Sequence, residues 1–203
     1  MKTYLALGDS YTIGEQVLSE ENFPNQTVKL LNKTADGLIK YNNPQIIATT
    51  GWTTDELDTA INAANITATF DIVTLLIGVN NQYRGRDVNN FQIEFEHLIQ
   101  RAIQFANNKP NNVFVLSIPD WGVTPFAEGR DRKKITEEID AYNLVCKTAA
   151  QKFNTHYIDI TIAHRLDGSK EDFLATDKLH PNGKEYKKWA IKVADKIKNI
   201  LEY

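Results

Sequence analysis

The sequence predicts an α/β fold, a parallel sheet covered by helices on both faces. Short β-rich runs alternate with longer helical patterns from one end of the chain to the other. The helical patterns place apolar residues three and four apart, which makes one buried face on each. No repeat, low-complexity tract or linker rich in Pro, Gly or Ser interrupts the alternation. Strands that alternate with helices build βαβ units, and such units make a parallel sheet.

The elements follow in order. Thr3 to Leu7 is the first β-rich run, and it breaks at Gly8. Gln45 to Ala48 is the second. Thr53 followed by Glu56 is a capping-box pattern, opening a helix that carries Leu57 and Ile61. After the third run, Ile72 to Ile77, a helical face is written in Phe91, Phe95, Leu98, Ile99, Ala102 and Ala106. The fourth run, Val113 to Ile118, precedes Ile135, Ile139, Tyr142, Cys146, Ala149 and Phe153 at the same spacing. Tyr157 to Ile160 is the fifth, and Tyr186, Trp189, Val193, Ile197 and Ile200 mark the last helix.

Composition narrows the function classes. With 203 residues, 42% hydrophobic and 24% charged, the chain reads as one globular domain spanning 1–203. A chain of this size buries about 70% of its unfolded surface, so neither metal nor disulfide is needed for stability. The single Cys146 excludes an intramolecular disulfide and a CxxC zinc site, and its place on an apolar stripe makes it a core residue. A net charge of −3 argues against nucleic-acid binding. The start, "MKTYLALGDS", has too short an apolar core for a signal peptide, and no apolar run spans a membrane. A cytoplasmic protein without cofactor or stable membrane association is expected. Six lysines on the last helix, from Lys184 to Lys198, form a solvated outer face.

In a parallel sheet, ligands gather at the carboxyl ends of the strands. The five loops there carry "GDSYTIG", "TTGWTT", "GVNNQYRGR", "PDWGVTP" and "ATDKLHPNG". Glycine, hydroxyl, amide, aspartate and histidine thus converge on one rim. A serine hydroxyl becomes a nucleophile when a carboxylate-held histidine accepts its proton. Of the four histidines, His97 lies in a helical pattern and His156 enters a strand. His164 follows a strand without a well-spaced partner, whereas His180 has Asp177 three residues before it and Pro181 after it. Ser10 is then the hydroxyl in question, with the plain N-cap as its structural alternative. Oxyanion donors are available in the N–H of Ser10, the N–H of Gly51 and the Asn80 amide.

"GDS" near the N-terminus, an isolated glycine after the second strand, "GVNN" after the third and "DKLHP" near the C-terminus resemble the blocks of the SGNH hydrolases. These are the GDSL-type esterases and lipases. Four blocks in the family's order cover nearly the whole chain. The resemblance implies a flavodoxin-like three-layer α/β/α sandwich with a five-stranded parallel sheet, and ester hydrolysis through an acyl-serine. It maps the nucleophile to Ser10, the oxyanion donors to Ser10, Gly51 and Asn80, and the aspartate and base to Asp177 and His180. Asn81 stands where the family usually carries aspartate, and Tyr11 to Gly14 depart from its simple leucine.

Around this centre, Tyr11, Trp52, Tyr83 and Trp121 each follow a strand end and are expected to wall the substrate site, with Asn81 beside them. Arg84 and Arg86 either attract an anionic headgroup or are solvated. Pro119 to Lys134 mixes aromatics with charges and is expected to form a flap. Rim loops dominated by Thr, Asn, Asp, Gln and Arg favour a small ester with a short acyl group, such as a sugar acetate. Lysophospholipase and thioesterase activities are the alternatives. A non-catalytic phosphate or flavin-binding domain of the same architecture would leave Asp177 and His180 without a role, and the glycine patterns of such sites are absent.

Overall fold

The apolar runs become strands whose burial tells their place in the sheet. β1 (Tyr4–Gly8), β3 (Ile72–Leu76) and β4 (Val113–Leu116) are buried at every residue. β2 (Gln45–Ala48) and β5 (His156–Ile158) are partly exposed. Strands covered on both faces need continuous apolar runs, while edge strands do not. The order is accordingly β2-β1-β3-β4-β5, and every pairing is parallel. Tyr4 and Thr74 satisfy each other's buried hydroxyls across β1 and β3, at 2.9 Å.

This computed structural model describes residues 1–34 and 39–201. Between the strands lie α1 (Ser10–Ile13), α2 (Phe23–Thr34), α3 (Thr54–Ala64), α4 (Val79–Tyr83), α5 (Val88–Phe105), α6 (Arg132–Lys152), α7 (Thr161–Asp167) and α8 (Gly183–Leu201). The capping box at Thr53 and Glu56 opens α3 as its sequence requires. The apolar stripes of α5, α6 and α8 are buried at Phe91, Phe95, Ile139, Cys146, Trp189 and Val193. α2 is not marked in the sequence reading. Asn22 caps it by accepting the Asn25 N–H at 3.0 Å, and Phe23, Val28 and Leu31 make a sparse buried stripe.

β1 passes to β2 on one side, and the remaining connections run the other way. Right-handed crossovers therefore put α2 on one face and α3, α5 and α6 on the opposite face. α8 returns to pack against α2, completing the three-layer α/β/α sandwich. The reversal falls between β1 and β3. A crevice opens there, at the carboxyl ends of those strands, which is the switch point where such sheets bind ligands. Among the described residues, no helix is long and apolar enough to cross a membrane.

Candidate active site

Ser10 is placed by a turn that tolerates no bulk. A Cβ on Gly8 would stand 2.1 Å from Thr12 Oγ1 and 2.4 Å from the carbonyl of Leu76. The chain therefore leaves β1 tightly against the end of β3. Asp9 caps α1, its Oδ1 accepting the Tyr11 N–H at 3.0 Å. The cap role that Ser10 would otherwise fill is thus taken, and its hydroxyl is free to face the crevice. Burial pushes the Asp9 carboxyl up to about 7, against the pull of the N–H groups of Tyr11, Asp9 and Gly78.

The second part is a compact turn from Asp177 to His180. Asp177 Oδ1 accepts the N–H groups of Leu179 and His180 at 3.0 and 2.9 Å, and Oδ2 meets His180 Nδ1 at 2.6 Å. Lys178 adopts φ +60 to let the backbone curl around the carboxylate. Burial raises the Asp177 carboxyl, but its bonds to the His180 ring and to these two N–H groups prevail and hold it below its ordinary value. A backbone bond from Ala175 N–H to the His180 carbonyl, at 2.8 Å, closes the turn. His180 Nε2 then lies 3.0 Å from Ser10 Oγ. Serine, imidazole and carboxylate form one hydrogen-bonded line, able to pass a proton from Ser10 to His180 and to steady the resulting charge. Tyr11 packs against the imidazole with ring centroids 5.4 Å apart.

Gly51 and Asn80 line the same crevice as Ser10 and His180. Gly51 has φ +88, a conformation that side chains resist. Among the described residues, neither its N–H nor that of Ser10 donates to a protein group. Asn80 Nδ2 donates one hydrogen to the Trp52 carbonyl at 2.9 Å, which leaves its second hydrogen available. The three residues that carry these donors thus line a cavity of about 230 Å³. Tyr11, Val79, Tyr83, Trp121, Phe126 and Leu179 make its apolar wall.

Two residues expected at the wall stand elsewhere. Trp52 packs against the core, and only its carbonyl serves the site, through Asn80. Asn81 is fully buried. Its Oδ1 accepts the Thr54 N–H at 3.1 Å and its Nδ2 donates to Thr54 Oγ1 at 2.7 Å. Thr54 Oγ1 in turn donates to Glu94. An amide suits this chain of bonds because it supplies a hydrogen to Thr54. An aspartate there would compete with Glu94 for the one hydroxyl proton.

The segment expected as a flap is docked. The Phe126 N–H donates to the Lys178 carbonyl at 3.2 Å, in the middle of the Asp177–His180 turn. Buried Asp120 holds the segment's start through Gly122 N–H, Thr136 and Arg165. Trp121 Nε1 donates to Gln82 Oε1 at 2.7 Å. Arg130 lies over the rings of Tyr83, Trp121 and Phe126 at 5.2, 5.4 and 5.7 Å and donates to the Tyr83 hydroxyl. Such stacking on the wall joins the end of α4 to the segment after β4. Arg84 and Arg86 are both engaged, with Glu56 and Asp55 respectively.

Residues 6–188 match the model of the GDSL-like lipase/acylhydrolase family. The chain belongs to that family. Secreted effector protein SseJ of Salmonella typhimurium is 30% identical to this GDSL-like chain over 88 residues, which are 43% of the chain and 21% of SseJ. The match thus spans about a fifth of that relative's length. Psychrotrophic esterase EstA from Pseudoalteromonas sp. superposes with a TM-score of 0.72 at 19% identity, each chain covered completely. Axe2, an acetylxylan esterase from Geobacillus stearothermophilus, gives 0.71 at 18% identity, covering 100% of this chain and 94% of Axe2. At such identities the likeness establishes the shared SGNH hydrolase fold.

The other histidines of this GDSL-like chain lie away from the crevice. His97 is exposed beside Asp58, His156 stacks on Phe114, and His164 is buried edge-on against Trp189. Phe126 belongs to the segment expected as a flap, whereas Val79 and Leu179 are not singled out by the sequence, although each lies inside a rim block. Membership of those blocks is the available signal. Arg130 gave none, because its three ring partners come from two separate loops.

Proposed function

We propose that this protein is a serine ester hydrolase working through an acyl-serine intermediate on small, short-acyl esters of carbohydrates or other alcohols. The observation that carries the reading is the line from Asp177 through His180 to Ser10, at 2.6 and 3.0 Å. Ser10 Oγ attacks the ester carbonyl while its proton moves to His180 Nε2, and Asp177 steadies the imidazolium. The carbonyl electrons move onto oxygen, where the N–H groups of Ser10 and Gly51 and the Asn80 amide receive them. Collapse breaks the bond to the alcohol, which leaves with the proton from His180. Water then gives a proton to His180, attacks the acyl carbon and releases the acid, and Ser10 recovers its hydrogen.

The short-acyl preference is supported by the size of the cavity. A cavity of about 230 Å³ matches a ring or a few methylenes beside the reacting carbonyl. A second reading, hydrolysis of lysophospholipids or thioesters with longer acyl groups, is favoured by the apolar wall of Val79, Trp121, Phe126 and Leu179. The two are separated by kcat/KM across p-nitrophenyl esters from acetate upward, below micelle-forming concentrations. Each buried methylene contributes about 0.8 kcal/mol, so a wall built for long tails yields a rise through octanoate and beyond. The proposed preference yields a maximum between acetate and butyrate.

A further inference from the structure

Arg84 follows α4 and turns its guanidinium back toward Gly51. Nη2 donates to the Gly51 carbonyl at 2.6 Å, and Nη1 lies 3.3 Å from Glu56 Oε1. Glu56 is itself fixed in the capping box of α3, where it accepts from Thr53 N–H and Oγ1 at 2.9 and 3.0 Å. The guanidinium is therefore a neutralised strut between two loops rather than a free cation awaiting an anionic headgroup.

Gly51 needs such a strut. Packing does not enforce its conformation, since a Cβ there would meet nothing closer than Arg84 Nη2 at 3.9 Å. Glycine also has the widest choice of φ and ψ. Four bonds hold the turn: Thr50 Oγ1 to Glu15, Trp52 N–H to the Thr49 carbonyl, Asn80 Nδ2 to the Trp52 carbonyl, and Arg84 to the Gly51 carbonyl itself. The last acts on Gly51 itself, which lines the crevice and whose N–H has no protein acceptor among the described residues. A donor for a developing oxyanion is effective only when its direction is set before the charge appears.

We propose that Arg84 is a positioning residue that fixes the Gly51 N–H toward the oxyanion. The role rests on the reading of Gly51 as a donor and of Ser10 as the nucleophile. It acts on the transition state and not on substrate binding, so it predicts a loss in kcat with KM preserved.

The test compares wild type, Arg84→Met and Arg84→Lys on p-nitrophenyl acetate, with fluorophosphonate labelling of Ser10 and thermal melting alongside. Arg84→Met is expected to lower kcat about ten-fold, less than the ~10²-fold or more of deleting a donor outright, with KM little changed. Arg84→Lys keeps a donor and is expected to recover part of the loss. Glu56→Gln, which releases the far end of the strut, gives a smaller loss in kcat and serves if Arg84→Met does not fold. Full kcat in folded Arg84→Met, or in Glu56→Gln where that variant stands in for it, overturns the role. So does a rise in KM with kcat unchanged, which would make Arg84 a substrate contact. A wild type that hydrolyses the ester without labelling at Ser10 overturns the underlying reading, and the role with it.

Discussion

His180 Nε2 stands 3.0 Å from Ser10 Oγ across 170 residues of sequence. One partner sits at the end of a central strand, and the other on a turn locked by its own aspartate. Neither position depends on the other, so the fold brings them together before any substrate arrives. Preorganisation of this kind limits what a single substitution can leave behind.

Removing the base is expected to be about as damaging as removing the nucleophile. His180→Ala and Ser10→Ala should each lower kcat by several orders of magnitude, and the double variant should be hardly worse, because the pair acts as a unit. Asp177→Ala should be milder, since that carboxylate orients and steadies without transferring the proton. Steady-state rates of the three single variants and the double variant check the order. Additive losses would mean that Ser10 and His180 work independently.

The neighbouring amides should separate function from stability. Asn80→Ala is expected to cost roughly 10²-fold in kcat with KM little altered, as a donor used in the transition state would. Asn81→Ala leaves the buried Thr54 N–H without its acceptor and should lower stability by about 1–3 kcal/mol. Urea unfolding together with kinetics on both variants shows whether the two effects fall on different residues. A larger kcat loss at Asn81 would place the donor one residue further along α4.

The Asp9 carboxyl gives the fold a pH dependence of its own. Burial raises it to about 7 from an ordinary value of 3.8, and its Oδ2 has no protein partner. Between those values the folded chain keeps a proton that the unfolded chain has lost. Stability from this group is therefore present at low pH and lost as pH rises toward 7, by up to about 1.4 kcal/mol per pH unit. Asn caps a helix as well as Asp does and has no proton to lose. Asp9→Asn should be more stable than wild type at pH 8, with the gap closing toward pH 4. Urea midpoints across that range measure it, and parallel pH profiles would remove Asp9 as the cause.

Much of this arrangement is legible in the residues themselves. Continuous apolar runs identify the buried strands, because a strand covered on both faces has no polar side to show. Asp177 and His180 are readable as a pair because three residues and a proline confine them to one turn. Asn81 is not, because its partner Thr54 lies on another helix and nothing local tells a buried amide from a rim amide. α2 escapes for a related reason: its buried side is narrow, and α8 supplies most of what covers it. The docking of Phe126 onto Lys178 depends on a backbone bond, which side-chain identity does not encode.

Covalent labelling distinguishes Ser10 as the nucleophile from every other hydroxyl of the chain. Wild-type protein and Ser10→Ala are treated with a fluorophosphonate, digested, and the modified peptide is located by mass spectrometry. One phosphonyl group per chain is expected, on Ser10, with neither labelling nor ester hydrolysis in a folded Ser10→Ala variant. A label on another residue, or hydrolysis that persists in Ser10→Ala, would contradict it.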